Sequence, residues 1–259
     1  MRKQLHISGI GLLFNCAQAW YQRYILGRSI PPASALHIGT SLHKGVEADL
    51  MCVMEDGALA DEDDLCSLVR DFAISRVNEE GVTRDEGKTK EETVADIIDT
   101  SVQLAKVHHE QVAPSIKPKS LERGFVIDME GKFPFDLAGM MDIVEVDNTL
   151  RDTKSSKRKP TQATVDDSIQ MTSYRFALRA LDGEAPPKIK MDYIVKTKKP
   201  YAITLETTRT DEDEQRFLRV YEAACKQIEA ECWSPCNPDH WLCNPKWCGY
   251  FNNGCPYRG

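Results

Sequence analysis

No stretch of the sequence approaches the roughly 18 consecutive apolar residues that a bilayer-spanning helix requires. The phosphate-cradling loop G-x-x-x-x-G-K-[S/T] is also missing, which excludes a nucleotide-driven motor in this chain. Cations are in deficit, with 33 Lys and Arg against 40 Asp and Glu and a net charge of −7, so the chain does not coat nucleic acid indiscriminately. No internal repeat or low-complexity tract is present. Met1-Arg2-Lys3 followed by Gly9 to Phe14 has the charge order of a leader peptide, but the apolar part is too short and no small-residue cleavage site follows. The expectation is a soluble, cytoplasmic protein with no membrane partner. At 41% hydrophobic and 28% charged, its 259 residues can bury a sizeable core.

The charge is segregated. Residues 55–100 carry 15 acidic and 5 basic side chains, and residues 151–199 carry 12 basic and 6 acidic ones, so a polyanion can dock on one face while another stays solvated. Helical spacing predicts a helix near 9–26 with Ser8 as its cap, a second from about Ala33 or Thr40 to Met54, and two or more across 60–112. Beyond Pro118 the texture changes. Strands are expected at Leu121 to Met129, Phe133 to Val146 and Thr149 to Ser155, with Gly131 at a turn. A helix over Thr164 to Leu181, strands at Ile189 to Lys196 and Tyr201 to Thr207, and a helix over Asp211 to Glu231 complete the order.

Chemistry concentrates around residues 142–154. On a strand, residues two apart share a face, so Asp152 and Lys154 project the same way. Asp142 is expected on the neighbouring strand. Two carboxylates converging beside an ammonium leave a space suited to a hard divalent cation such as Mg²⁺. The lysine would then orient or deprotonate water, or neutralise a phosphate. In isolation, a D-x-K pair also reads as an ordinary surface salt bridge. His43 and Glu47 stand four apart on one helical face, as do Gln170 and Tyr174.

Taken in order, Gly39-Thr40-x-x-His43, Gly139-x-x-Asp142, Asp152-x-Lys154 and Gln170-x-x-x-Tyr174 resemble the motifs of the PD-(D/E)XK nuclease superfamily. The closest resemblance is to its RecB-like exonuclease branch, which includes CRISPR-associated four-cysteine nucleases and AddB-type nuclease domains. The resemblance implies an α/β fold with a central mixed sheet flanked by helices. It also implies one nuclease domain over 1–259: N-terminal helices to 54, a helical insertion over 55–117, a catalytic core over 118–210, and a C-terminal helix and metal-binding tail over 211–259. By the same resemblance, His43, Asp142, Asp152 and the Thr153 carbonyl would ligate Mg²⁺ or Mn²⁺. Lys154 would position water, and Gln170 and Tyr174 would contact the nucleic-acid backbone or the lysine. Glu47 and Glu122 are auxiliary carboxylate candidates. The implied activity is Mg/Mn-dependent hydrolysis of DNA, by an exonuclease preferring single strands or free ends. Its setting would be recombination or repair in a bacterial or phage-infected cell, with a helicase or recombination protein as partner. The alternatives are end processing in CRISPR adaptation and a non-catalytic nucleic-acid-binding module, but such a module would have lost the lysine or a carboxylate.

Nine cysteines complete the pattern, six of them beyond residue 224. Cys243-x4-Cys248-x6-Cys255-Pro256 offers thiolates on loops able to wrap a polynuclear cluster. The resemblance implies that these three and Cys16 hold a [4Fe–4S] cluster that staples the chain ends together. The alternative is zinc, held by four of Cys232, Cys236, Cys243, Cys248, Cys255 and His240. Cys52, Cys66 and Cys225 are expected as small buried apolar residues. Lys157, Arg158, Lys159, Arg175, Lys188, Lys196, Lys198 and Lys199 are expected to attract a nucleic-acid backbone, and Trp241, Trp247, Tyr250 and Phe251 to stack on bases or pack around the cluster.

Overall fold

The computed structural model describes residues 3–245 and 247–257. A strand β1 (Gln4–His6) leads into helices α1 (Ile7–Asn15), α2 (Ala17–Tyr24), α3 (Ser34–Asp56), α4 (Glu62–Glu80) and α5 (Lys90–Gln111). Strands β2 (Pro118–Ile127), β3 (Asp136–Glu145) and β4 (Leu150–Ser156) follow. Helices α6 (Gln162–Asp166) and α7 (Ile169–Asp182), strands β5 (Ile189–Val195) and β6 (Tyr201–Thr207), and helix α8 (Asp211–Glu229) complete the order. Among the described residues, no helix is long and apolar enough to cross a membrane.

The six strands form one mixed sheet with helices on both faces. Its main path is β1-β3-β4-β5-β6, with β2 paired to β3. The face carrying Leu137, Met141, Leu150, Met191 and Tyr193 packs against α1, α7 and α8 in a first core. The other face offers Ile143 and Ile194 to a three-helix layer of α3, α4 and α5, a second core. The helices of residues 55–117 belong to this layer, and α5 lies against β5 and β6.

Pairing around β3 prepares the site. β2 runs antiparallel along its length, from Pro118 opposite Glu145 to Ile127 opposite Leu137. The other edge is shared: β1 pairs with Asp136, Leu137 and Ala138, and β4 only with Ile143 and Val144. Gly139 to Asp142 are left between them without a ladder partner on that edge. Gly139 is needed there, since a Cβ would lie 2.5 Å from the ring of Phe125.

Three local expectations are corrected. The helix near 9–26 is two helices, broken at Cys16, whose φ of −161° and ψ of 94° are extended. Ser8 lies inside α1 and caps nothing; the residue preceding the helix is His6. The helix over 164–181 breaks at Asp167, and Ser168 starts α7 by accepting a hydrogen bond from the Met171 N–H. Strand β1 carried too short a pattern to be read from the sequence.

Candidate active site

β4 lies between β3 and β5 in the sheet, and the two helical layers cover its faces. Its pleat sends Arg151 and Thr153 toward the second core, and Asp152 and Lys154 toward the first. Arg151, 3% exposed, is an interior cation held by Glu145 and Asp192, with a guanidinium nitrogen 2.9 Å from an Asp192 oxygen. Such a buried triad fixes strand register, since removing one partner would leave a charge stranded in low dielectric.

On the opposite side of β4, Asp152 is fully buried. Lys154 Nζ donates to its Oδ1 at 3.0 Å. Oδ2 lies 2.8 Å from the same nitrogen but outside hydrogen-bond geometry, leaving a buried carboxylate oxygen with no donor. Burial and then the neighbouring Asp142 carboxylate push the Asp152 carboxyl up, to about 7, against the pull of Lys154 and His43. Burial opposes the charge on Lys154 too, but Asp152 and Asp142 outweigh it and raise its pKa.

Asp142 sits where β3 and β4 part. Its Oδ2 accepts from the Thr153 N–H at 3.2 Å, replacing a ladder bond with a side-chain one. The same oxygen lies 3.3 Å from His43 Nδ1, which reaches in from α3. Glu122 on β2 approaches that nitrogen at 3.8 Å. Desolvation lowers the His43 pKa, but the neighbouring Glu122 and Asp142 carboxylates outweigh it and raise the value. One ligand atom each from His43, Glu122 and Asp142 lie within 4.8 Å of one another. Nitrogen and carboxylate donors at this spacing, beside the orphaned Asp152 oxygen, fit a divalent cation of the Mg²⁺ or Mn²⁺ class.

On α7, Gln170 Nε2 donates to Tyr174 Oη at 2.6 Å. Burial pushes the Tyr174 phenol up, with Asp152 and Asp142 adding to it. Thr153 contributes its N–H to Asp142. Glu47 is turned away and pairs with Lys44 at 2.8 Å. From the sequence Glu122 is only an auxiliary candidate, because no spacing rule promotes it. His108 on α5 is 1% exposed. His109 is paired with the buried Asp49 at 3.0 Å.

Two loops bring cations beside the strand ends. Lys196 N–H donates to the Ser156 carbonyl at 2.7 Å, which joins the loop of Lys157, Arg158 and Lys159 to that of Lys196, Lys198 and Lys199. Lys196 has its pKa lowered by burial and by Lys157. Arg175 is a correction: it is buried and ion-paired with Glu214 and Asp211, so it is not a surface cation.

At the far end of the chain, the tail folds back on α2. The Gln18 N–H donates to the Ser234 carbonyl at 3.1 Å, and Tyr250 Oη to the Arg28 carbonyl at 2.9 Å. Cys16 packs with Tyr250, Cys236 and Cys248. Burial, then Cys16 and Cys243, push the Cys236 thiol up to about 12. Burial also raises Cys248, with the nearby Cys16 and Cys255 adding to it. Five thiols therefore gather, Cys236 among them. Cys66 and Cys225 are buried, as expected, while Cys52 is half-buried. Trp241 and Trp247 are exposed, and Tyr250 is buried against the cysteines.

A mixed sheet between helical layers, parted over two acids, a lysine and a histidine, defines a nuclease-type α/β protein. The sequence pattern of the PD-(D/E)XK nuclease superfamily matches residues 6–259, and the chain belongs to that superfamily. Its members are phosphodiester hydrolases that use divalent metals. A solved structure from Eubacterium rectale, provisionally assigned as an exonuclease, is 14% identical with a TM-score of 0.59, covering 93% of this chain and 87% of its own; the likeness is one of fold. The structure of SSO0001 is 12% identical with a TM-score of 0.38, covering 90% of this chain and 89% of its own. No curated protein sequence matches.

Proposed function

We propose that this protein is a Mg²⁺- or Mn²⁺-dependent DNA nuclease, an exonuclease acting on single strands or free ends, of the RecB-like branch. The observation that carries the reading is the meeting of Asp142, Asp152 and Lys154 where β3 and β4 part. His43, Asp142 and Asp152 would hold the cation, with Thr153 at the edge of the set. A divalent cation there supplies Lewis acidity toward a phosphate oxygen and allows a nucleophile to form near neutral pH. Lys154, its pKa raised, stays an ammonium at neutral pH. It therefore donates to and orients a water or phosphate oxygen instead of accepting a proton. Gln170 and Tyr174 act as a donor pair for the substrate backbone. The loops carrying Lys157, Arg158, Lys159, Lys196, Lys198 and Lys199 attract the strand.

The tail thiols support a metal centre tying the chain ends together. A [4Fe–4S] cluster on Cys16, Cys243, Cys248 and Cys255 is the preferred reading, with Cys236 as a fifth thiol beside them. Zinc is the second reading, favoured by His240, which lines one cavity of about 290 Å³ with Cys16 and Cys236. Tetrahedral Zn–S bonds of about 2.3 Å would bring sulfurs to roughly 3.8 Å. Among the described residues, the only group of three ligand atoms within 4.8 Å is that of His43, which weighs toward the larger cluster. Iron, sulfide and zinc analysis of anaerobically purified protein decides between them. Recombination or repair beside a helicase or recombination protein is the setting proposed.

The activity test is cleavage of end-labelled linear and of circular single-stranded DNA with Mg²⁺ or Mn²⁺. Loss of the linear substrate alone, abolished in Asp152→Asn and Lys154→Ala, is the expected result. Cutting of the circle would make the protein an endonuclease. Binding without cleavage of either substrate would refute the enzyme reading.

A further inference from the structure

Glu122 stands on β2 where its neighbours pair in register with β3, Leu121 opposite Ile143 and Arg123 opposite Met141. Glu122 itself is opposite Asp142, and that one rung is not made. Its φ is +44°, in the left-handed region that residues with a Cβ enter only at a cost. Among the described residues, two other non-glycines have positive φ: Asn148, in the turn between β3 and β4, and Glu231, just beyond α8. Those are ordinary places for such a conformation, and a strand interior is not.

The distortion changes which way the strands face. Leu121 packs against the second core, whereas Phe125, four residues on, belongs to the first. A regular pleat would put both on one face. β3 makes the same change at the same rung, with Met141 in the first core and Ile143 in the second. Both strands therefore switch faces at the Glu122–Asp142 pair. The result is local: Glu122 Oε1 and Asp142 Oδ2 come within 3.8 Å and 3.3 Å of His43 Nδ1. Alongside lies the buried Asp152 Oδ2 that no donor satisfies. Strain persisting inside a strand, at the one rung where charged groups converge, marks a functional requirement.

We infer that Glu122 is a further protein ligand, beside His43, Asp142 and Asp152, of the site's divalent cation, and that the left-handed residue in β2 is strain retained to place it. The inference rests on the metal-dependent nuclease reading above. β2 then belongs to the active site rather than only bracing β3.

The test uses the full chain, with Mn²⁺ as the probe. Mn²⁺ binding is followed by the loss of the free-ion paramagnetic resonance signal, and thermal melting is measured with and without Mn²⁺, for wild type, Glu122→Gln and Glu122→Gly. Both variants should bind Mn²⁺ at least about tenfold more weakly, the scale seen when a metal site loses a supporting group. Without metal, Glu122→Gly should melt about 2–4 °C above Glu122→Gln, because glycine relieves the left-handed strain while both remove the charge. Saturating Mn²⁺ should raise the wild-type melting temperature by more than it raises the variants'. If Glu122→Gln binds Mn²⁺ and cleaves DNA like wild type, Glu122 is no ligand and the nuclease reading stands. If Glu122→Gly melts below Glu122→Gln without metal, the conformation serves the fold and the strain argument fails. If wild type itself neither binds Mn²⁺ nor cleaves, the nuclease reading falls and the inference with it.

Discussion

Lys154 and His108 show how one environment, burial, has opposite outcomes according to the charges nearby. Lys154 faces Asp152 and Asp142, and its ammonium is favoured despite desolvation. Replacing it with Ala should lower the rate of cleavage by about 10²-fold or more, since the group acts on charge developing at phosphate. Metal affinity should change far less, which a Mn²⁺ titration beside the rate assay would show. His108 has no carboxylate to compensate. Burial, with Arg151, His43 and His109 as positive neighbours, lowers its pKa to about 3. Its Nε2 has no hydrogen-bond partner in the structure. The folded protein holds His108 neutral, while the unfolded chain would protonate it near 6.5. Its contribution to stability is therefore whole above pH 6.5 and is lost as the pH falls toward about 3, by up to about 1.4 kcal/mol per pH unit. His108→Leu should flatten urea-denaturation midpoints across that range. An unchanged slope would place the acid sensitivity elsewhere.

Among the elements, the strands and their chemistry were the legible part. The pleat alone puts Asp152 and Lys154 on one face, and the turn at Gly131 and the alternation around it delimit β2 and β3. Helix ends set by distant contacts were not legible. The break at Cys16 answers to the tail some two hundred residues later, and nothing in Leu12-Leu13-Phe14-Asn15 marks it. Glu122 was hidden for a related reason, because its reach depends on a backbone state that periodicity rules assume absent from strands. Gly139, legible as part of a motif, now has a steric reason. An Ala there would meet Phe125, which is buried 6.0 Å from the ring of Tyr174 in an edge-on contact. Gly139→Ala should cost about 1–3 kcal/mol as an overpacked core. It should also slow cleavage by displacing Tyr174. Denaturation and rate measured on one preparation would separate the two effects.

Over the whole molecule, acid and base are parted, with the acidic helices α4 and α5 in one layer and the lysine loops at the ends of β4 and β5. DNA binding should accordingly weaken with salt, with a slope in log K against log salt of about −0.7 per phosphate neutralised on a single strand. Replacing Lys157 and Lys159 with Ala should reduce that slope by about 1–2. Arg175→Ala should instead lower the melting temperature and leave the slope alone, because its partners are Glu214 and Asp211. Equal slopes for the lysine variant and wild type would remove the loops from the binding path.

The bonds that tie residues 16–30 to residues 234–255 also set a timetable. A ribosome adding about 5–20 residues each second reaches the second segment roughly 10–40 s after the first has emerged. Through that interval α1 and α2 are without the surface that Ser234, Tyr250 and the tail cysteines later provide. A nascent chain that stalls, or is clipped within residues 234–255, is then left with α1 and α2 uncovered, and damage to that later segment would be felt at residues 16–30.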